Sequence, residues 1–242
     1  MNESLETIPL INLSLAFVPA ILTIAILFKW SLNSTNALYA ISRMLVQLLL
    51  IGYFLSYIFD SDSAGIIILI LAIMVLASSW IALGTIPDLR SQLYKYALLA
   101  ITVGGGVTLV MITQGVMLLD PWYSPQSMIP IAGMIFANAM NSISLSAERL
   151  NAEVGRNTTY DEARKIALQS SLIPVTNSLF AVGLVSLPGM MTGQILSGVS
   201  PLIAVRYQIM VMCMVFGASG IASAFFLVLV RPAFEKKLAG SK

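Results

Sequence analysis

The chain is dominated by long apolar runs separated by short polar connections. Seven stretches, near 8–30, 36–59, 65–84, 96–119, 127–147, 172–188 and 205–230, are each apolar over about the length needed to cross ~30 Å of hydrocarbon. The pattern predicts an all-α integral membrane protein of about seven transmembrane helices. One region departs from it. The run 172–209 is apolar enough for a bilayer, but Pro174 and Pro188 interrupt it, and a Gly-, Thr- and Gln-bearing segment follows, Gly189-Met190-Met191-Thr192-Gly193-Gln194. Backbone groups freed by Pro or Gly have no partners in lipid, so such a segment belongs against protein or beside a wet cavity. The expectation is a chain built around a path through the membrane, with Pro188, Gly189, Met190, Met191, Thr192, Gly193 and Gln194 along it.

Of the connections, 148–171 has the most polar surface. Two short helices are expected there. The first extends the fifth span through Glu148, Arg149 and Glu153 and stops at Gly155. The second starts at Thr159, with Glu162 three residues on in a capping-box pattern. Tyr160, Ala163 and Ala167 then share the face that leads into the sixth span. The turn 155–158 carries breaker residues, so a helical hairpin is expected to project between the fifth and sixth helices.

Lys and Arg place this hairpin. Lys29, Arg90, Lys95, Arg149, Arg156, Arg164, Lys165, Arg231, Lys236, Lys237 and Lys242 fall on one side of the predicted layout, with Arg206 alone on the other. The positive-inside rule makes the first side cytoplasmic, with the N-terminus outside and the C-terminus inside. Trp30, Trp80, Trp122 and Tyr123 sit near predicted span ends, where interface anchors belong. The start of the chain lacks a cleavable-signal pattern, since residues 1–7 hold Glu3 and Glu6 and no cation.

Composition agrees with lipid as the solvent. The 242 residues are 58% hydrophobic and 10% charged, with mean hydropathy +0.90, against about 25% charged residues in a soluble domain. A net charge of +2 without a basic tract gives no nucleic-acid footprint. The whole chain, 1–242, reads as one polytopic domain.

Missing chemistry narrows the function. There is no histidine, which removes a Ser-His pair, the commonest proton shuttle and the commonest metal ligand. Cys213 is the single cysteine, so neither an internal disulfide nor a Cys-based metal site can form. No glycine loop followed by Lys-Ser or Lys-Thr occurs, so ATP is not expected to bind here in the P-loop manner. The run Gly104-Gly105-Gly106 lies inside an apolar span and reads as close helix packing. The last span has no lysine for a retinal Schiff base. No acid lies within a predicted span, which argues against proton coupling. Uphill transport would draw its energy from another polypeptide, with the hairpin as its docking surface. The chain itself is not expected to be an enzyme or to hold a cofactor.

A few polar groups stand inside the spans. Arg43 either snorkels to the cytoplasmic interface or faces a cavity. Asn138 and Asn141, three apart on one helix face, and Asn177, just after Pro174, are candidates for the path, as well as for hydrogen bonds between helices. The methionines are either space-fillers or soft-metal ligands, Met190 and Met191 being the best placed for the second role. The Gly189/Gly193 spacing suits a tight helix crossing or a dimer seam.

These residues also resemble something known. The stretch 172–208, with Asn177, Leu187-Pro188-Gly189-Met190-Met191-Thr192-Gly193-Gln194-Ile195-Leu196, Gly198, Pro201 and Arg206-Tyr207-Gln208, closely resembles the signature of the FetB (YbbM, UPF0014) family, as does Asn138-Ala139-Met140-Asn141 with Ile143-Ser144-Leu145 and Arg149. The resemblance implies a permease subunit of an ABC transporter. Bacterial members are linked to iron export and peroxide resistance, plant relatives to aluminium tolerance. It implies a separate cytoplasmic ATPase subunit carrying ATP and Mg, two permeases and two ATPases per complex, and a place in the inner membrane. Glu148, Arg149, Glu153, Gly155, Arg156, Glu162 and Arg164 would then couple to the ATPase through a degenerate EAA-type motif that keeps Ala152 and Gly155. Iron is the cargo that the family suggests. Bare Fe²⁺ would meet only Met sulfur and neutral oxygens here, with Arg43 repelling it, so another metal or a chelated, anionic or organic cargo stays open. A self-sufficient carrier and a membrane scaffold are the rival classes.

Overall fold

The structure is a computed structural model that describes residues 8–59, 63–156 and 158–240. It is helical, without strands among the described residues, and divides into two compact units, Met1–Asp60 and Ser61–Lys242.

In the first unit, α1 (Leu10–Leu15) and α2 (Phe17–Lys29) meet at Ala16, and α3 spans Ser34–Phe59. Pro19 sits in the first turn of α2, where its missing N–H costs nothing. The Asn33 side chain accepts a 3.0 Å bond from the Asn36 N–H and so satisfies a free donor at the start of α3. Apolar side chains are exposed all round these helices, among them Leu10, Leu22, Leu49 and Tyr53. Such surfaces are at home in lipid.

The second unit is a helix bundle. It comprises α4 (Ala64–Ala82), α5 (Arg90–Val110, continued by a π-helical turn Met111–Val116), α6 (Pro125–Gly155), α7 (Tyr160–Ala181), α8 (Gly189–Leu196), α9 (Pro201–Leu229) and α10 (Arg231–Gly240). Two 3₁₀ turns join α4 to α5. The Arg90 guanidinium closes that corner by donating to the Trp80 carbonyl at 2.9 and 2.7 Å and stacking 4.0 Å over the Trp80 ring. The central helix is α6, which packs against α4, α5, α7 and α9. Ile135, Ala139, Ile143, Ala147 and Leu150, spaced by three or four, are fully buried along it.

Small residues let α5 and α9 approach. A Cβ added to Gly104 would lie 2.8 Å from the Ala222 backbone, and one added to Gly105 would lie 2.9 Å from the Phe136 ring. The glycine run is therefore helix packing, as its place in an apolar span predicts. Gly106 has open space instead.

Six helical stretches are long and apolar enough to cross a membrane: Leu10–Lys29, Ser34–Phe59, Ala64–Thr85, Pro87–Val116, Pro125–Gly155 and Pro201–Leu229. They match six of the seven predicted spans. The predicted span at 172–188 is built differently. Pro174 does not end its helix; α7 runs through it from Tyr160 to Ala181. The break comes at 182–188, where Gly183 takes φ +84° and its N–H bonds to the Ser186 carbonyl. Pro188 then caps α8. Asp161, Glu162, Arg164 and Lys165 charge the start of α7, which keeps it outside the set of uniformly apolar helices.

The join of α6 and α7 follows the expected boundaries, Gly155 and Thr159; residue 157 of the predicted turn lies outside the described residues. The capping box does not form: Thr159 makes no side-chain cap bond. Asp161 and Glu162 in the first turn of α7 face the positive end of its dipole instead. Nor does the pair stand free. Leu150, Val154, Tyr160, Ala163 and Ala167 are buried, and α10 packs on α7 and α9 with Phe234 buried among them.

Candidate functional site

A polar cleft of about 350 Å³ lies between α6, α7, α9 and the 182–188 break. Asn138, Asn141 and Ser142 enter from α6, Ser171, Pro174 and Ser178 from α7, Ser186 and Pro188 from the break, and Met212 and Ser219 from α9. Among the described residues no charged side chain lines it. The walls are tied by serines. Ser223 Oγ donates to Ser142 Oγ at 2.7 Å, and Ser142 Oγ donates to the Ser171 carbonyl at 3.4 Å. Those two bonds join α9 to α6 and α6 to α7.

Three residues predicted for the path, Asn138, Asn141 and Pro188, thus meet in one cleft. Others go elsewhere. Asn177 is exposed on α7 and does not line it. Met191 lines a separate, apolar cleft of about 380 Å³ with Leu179, Val205, Gln208, Met212 and Cys213, and Met190 lines neither. Thr192 Oγ1 bonds back to the Pro188 carbonyl at 3.2 Å and holds the first turn of α8. The Gln194 Oε1 is buried without a partner among the described residues. Gly189 and Gly193 have open space where a Cβ would be, so their spacing makes no close crossing among the described residues. Arg43 is exposed on α3, in the first unit.

For metal chemistry, no group of three or more His, Cys, Asp or Glu side chains gathers among the described residues. Sequence reasoning missed the serines. A signal was present: Ser142 and Ser146, and Ser219 and Ser223, are spaced by four, and Ser171 and Ser178 by seven, each pair on one helix face.

The charged end of the bundle holds the residues expected to couple. Glu153 is only 6% exposed and pairs with Arg149 at 2.8 Å and Arg156 at 3.2 Å. Its carboxylate is therefore committed to holding the α6–α7 turn. Arg164 pairs with Asp161 at 3.2 Å, and Arg231 with Glu235 at 2.8 Å. Glu148, Gly155, Arg156 and Glu162 are exposed. Tyr160 donates a hydrogen bond to the Leu227 carbonyl, and burial pushes its phenol up to about 12.

The model of the uncharacterised protein family UPF0014 matches residues 10–234. The chain belongs to this family. A UPF0014 membrane protein of Synechocystis is 37% identical over 78% of this chain and 80% of its own length. The probable iron export permease protein FetB of Escherichia coli is 32% identical over 88% of this chain and 86% of its own. Protein ALUMINUM SENSITIVE 3 of Arabidopsis thaliana is 32% identical over 90% and 85%. No solved structure is significantly similar. With its apolar helices, this UPF0014 member is a multi-pass membrane protein.

Proposed function

We propose that this chain is the membrane-embedded permease subunit of an ABC transporter, with iron export as the leading assignment. A separate cytoplasmic ATPase would bind ATP and Mg, and two copies of this chain would form the membrane part, in the inner membrane with the N-terminus outside. The observation that carries this reading is the uncharged polar cleft between α6, α7 and α9, in a chain otherwise made of apolar helices. Seven amide and hydroxyl side chains gather there, between helices that are otherwise apolar. The relative from Escherichia coli, named a probable iron export permease, supports the same reading.

In this mechanism the ATPase grips the exposed face of the α6–α7 turn, through Glu148, Arg156 and Glu162. Closure of the ATPase pair tilts α6 and α7. The cleft then opens to the other side past the break at 182–188, in an alternating-access cycle.

The test is reconstitution with and without candidate ATPases. Deleting 156–162 should abolish co-purification with the ATPase and its stimulation. Intact assembly and stimulation by that deletion would remove the coupling role. Uphill transport by the chain alone would make it a self-sufficient carrier, and partner binding without any solute movement would make it a scaffold.

A further inference from the structure

The apolar cleft of about 380 Å³ holds a buried amide that nothing satisfies. Leu179 of α7, Leu187 of the break, Met191 of α8 and Val205, Ile209 and Met212 of α9 form its walls. Gln208 and the Cys213 thiol are the polar side chains among its lining residues. Gln208 is 5% exposed, its Oε1 is shut off from solvent, and its side chain makes no hydrogen bond among the described residues. An amide oxygen buried in this way costs about 1–3 kcal/mol unless a donor reaches it. A trapped water is a poor donor here. It needs roughly two to four polar partners, and the side chains around it offer one amide and one weakly polar thiol.

The molecule that completes this site is apolar over most of its length and carries one group that pairs with an amide. A charged head is disfavoured, because no Asp, Glu, Lys or Arg lines the cleft to offset it. A hydroxyl fits. It both donates and accepts, so it answers the amide whichever way the amide is turned. A carboxylate or phosphodiester only accepts, and leaves Oε1 unpaired. The bilayer supplies such molecules. One wall, α9, is long and apolar enough to cross the membrane, and Phe180 and Leu184, next in sequence to the lining residues Leu179 and Gly183, are exposed apolar side chains at home among acyl chains. The volume stands at the low end of the usual ~300–1,000 Å³ for ligand pockets, which suits a single alkyl chain. We propose that this cleft binds a neutral single-chain lipid with a hydroxyl head, a long-chain alcohol or a monoacylglycerol, its hydroxyl on Gln208 and its chain along the apolar wall. The site stands whatever the polar cleft carries.

The probe is dodecan-1-ol with a diazirine in its tail, added to the purified full-length chain in phosphatidylcholine nanodiscs. Saturable photo-labelling should map to α7, α8 and α9 around the cleft. Unlabelled dodecan-1-ol should compete for it, and dodecane and dodecanoate should compete about three- to tenfold less well, the effect of one hydrogen bond. Gln208→Leu, of similar size, should cut the labelling by the same factor. Its thermal stability should hold or rise, because an unpaired buried amide is gone. Leu179→Trp fills the cleft and should abolish saturable labelling. Wild-type labelling in Gln208→Leu, or equal competition by the alkane, would show that the amide selects nothing and overturn the proposal. Unchanged labelling in Leu179→Trp would place the probe outside the cleft, with the same result. Exclusion of the probe together with oxidative cross-linking of Cys213 between two copies would make the cleft a seam between copies instead.

Discussion

The hydroxyl of Tyr160, the first residue of α7, donates to the carbonyl oxygen of Leu227 near the end of α9. That carbonyl is one of the last four of its helix and has no partner within it. A side chain from one end of the polar turn thus caps a helix that lines the cleft. Tyr160→Phe keeps the buried ring and removes the cap. The expected cost is about 1–3 kcal/mol, the penalty of an orphaned buried carbonyl. Hydrogen exchange should rise in the last two turns of α9, and unchanged protection there would show that the bond carries nothing.

The same phenol gives a pH signature. Its value is raised from 10.0 to about 12 in the folded chain, chiefly by burial. A raised value means the native state holds the neutral form more strongly. Its contribution is complete below pH 10 and is lost as pH rises through about 12. Wild type should lose stability across that window, and Tyr160→Phe should show a smaller alkaline step in thermal unfolding. Identical alkaline slopes would mean that Tyr160 is not buried in the native state.

Glycines in α5 differ in what they tolerate. Gly104→Ala would place a methyl 2.8 Å from the backbone of Ala222, which no rotamer can relieve. Helix separation is the only response, at about 1–3 kcal/mol. Gly106→Ala meets open space and should be neutral or stabilising, by up to about 1 kcal/mol from helix propensity. Thermal unfolding of the pair in one detergent decides it, and equal midpoints would contradict the close contact of α5 with α9.

This contrast also marks how far the residues alone can be read. The glycine run, the long apolar helices and the boundaries at Gly155 and Thr159 are legible because hydropathy and breaker chemistry are local. The path of α7 is not. Pro174 looks like a stop, yet a proline removes one helical bond at about 3 kcal/mol, and packing of the buried face at Ala163, Ala167, Ser171 and Val175 outweighs it. The serines of the cleft escaped notice for a related reason. Ser has little hydropathy either way, and its meaning comes from the neighbour that Ser142 finds 81 residues away in Ser223. Glu153 reads as surface charge in the sequence; only the fold shows that Arg149 and Arg156 close over it.

Glu153 should behave as a structural acid. Glu153→Gln leaves the shape and removes the charge that Arg149 and Arg156 share. Both arginines are partly or largely exposed, at 39% and 67% of their side chains, so water limits the loss to about 1 kcal/mol. The effect should be local: faster proteolysis at the 156–159 turn with little change in the unfolding midpoint. A large fall in midpoint would mean that the ion cluster supports the whole bundle.

Pro174 lines the cleft and lies within α7, where its ring denies the Ser170 carbonyl its helical N–H. A proline inside a helix favours a bend in the turn before it, and Pro174 stands one turn before Ser178 on α7. Pro174→Ala restores the missing bond, so the helix should gain about 1–3 kcal/mol and straighten. Straightening moves Ser178 and the 182–188 break relative to α6, which should narrow the opening. Access can be read by thiol labelling of Ser186→Cys in a Cys213→Ser background, because Cys213 is the only native cysteine. Labelling should slow by about tenfold while thermal stability rises, the opposite pairing from that of a generally loosened protein. Slower labelling with lower stability would indicate misfolding, and unchanged labelling would show that the bend at Pro174 does not shape the cleft.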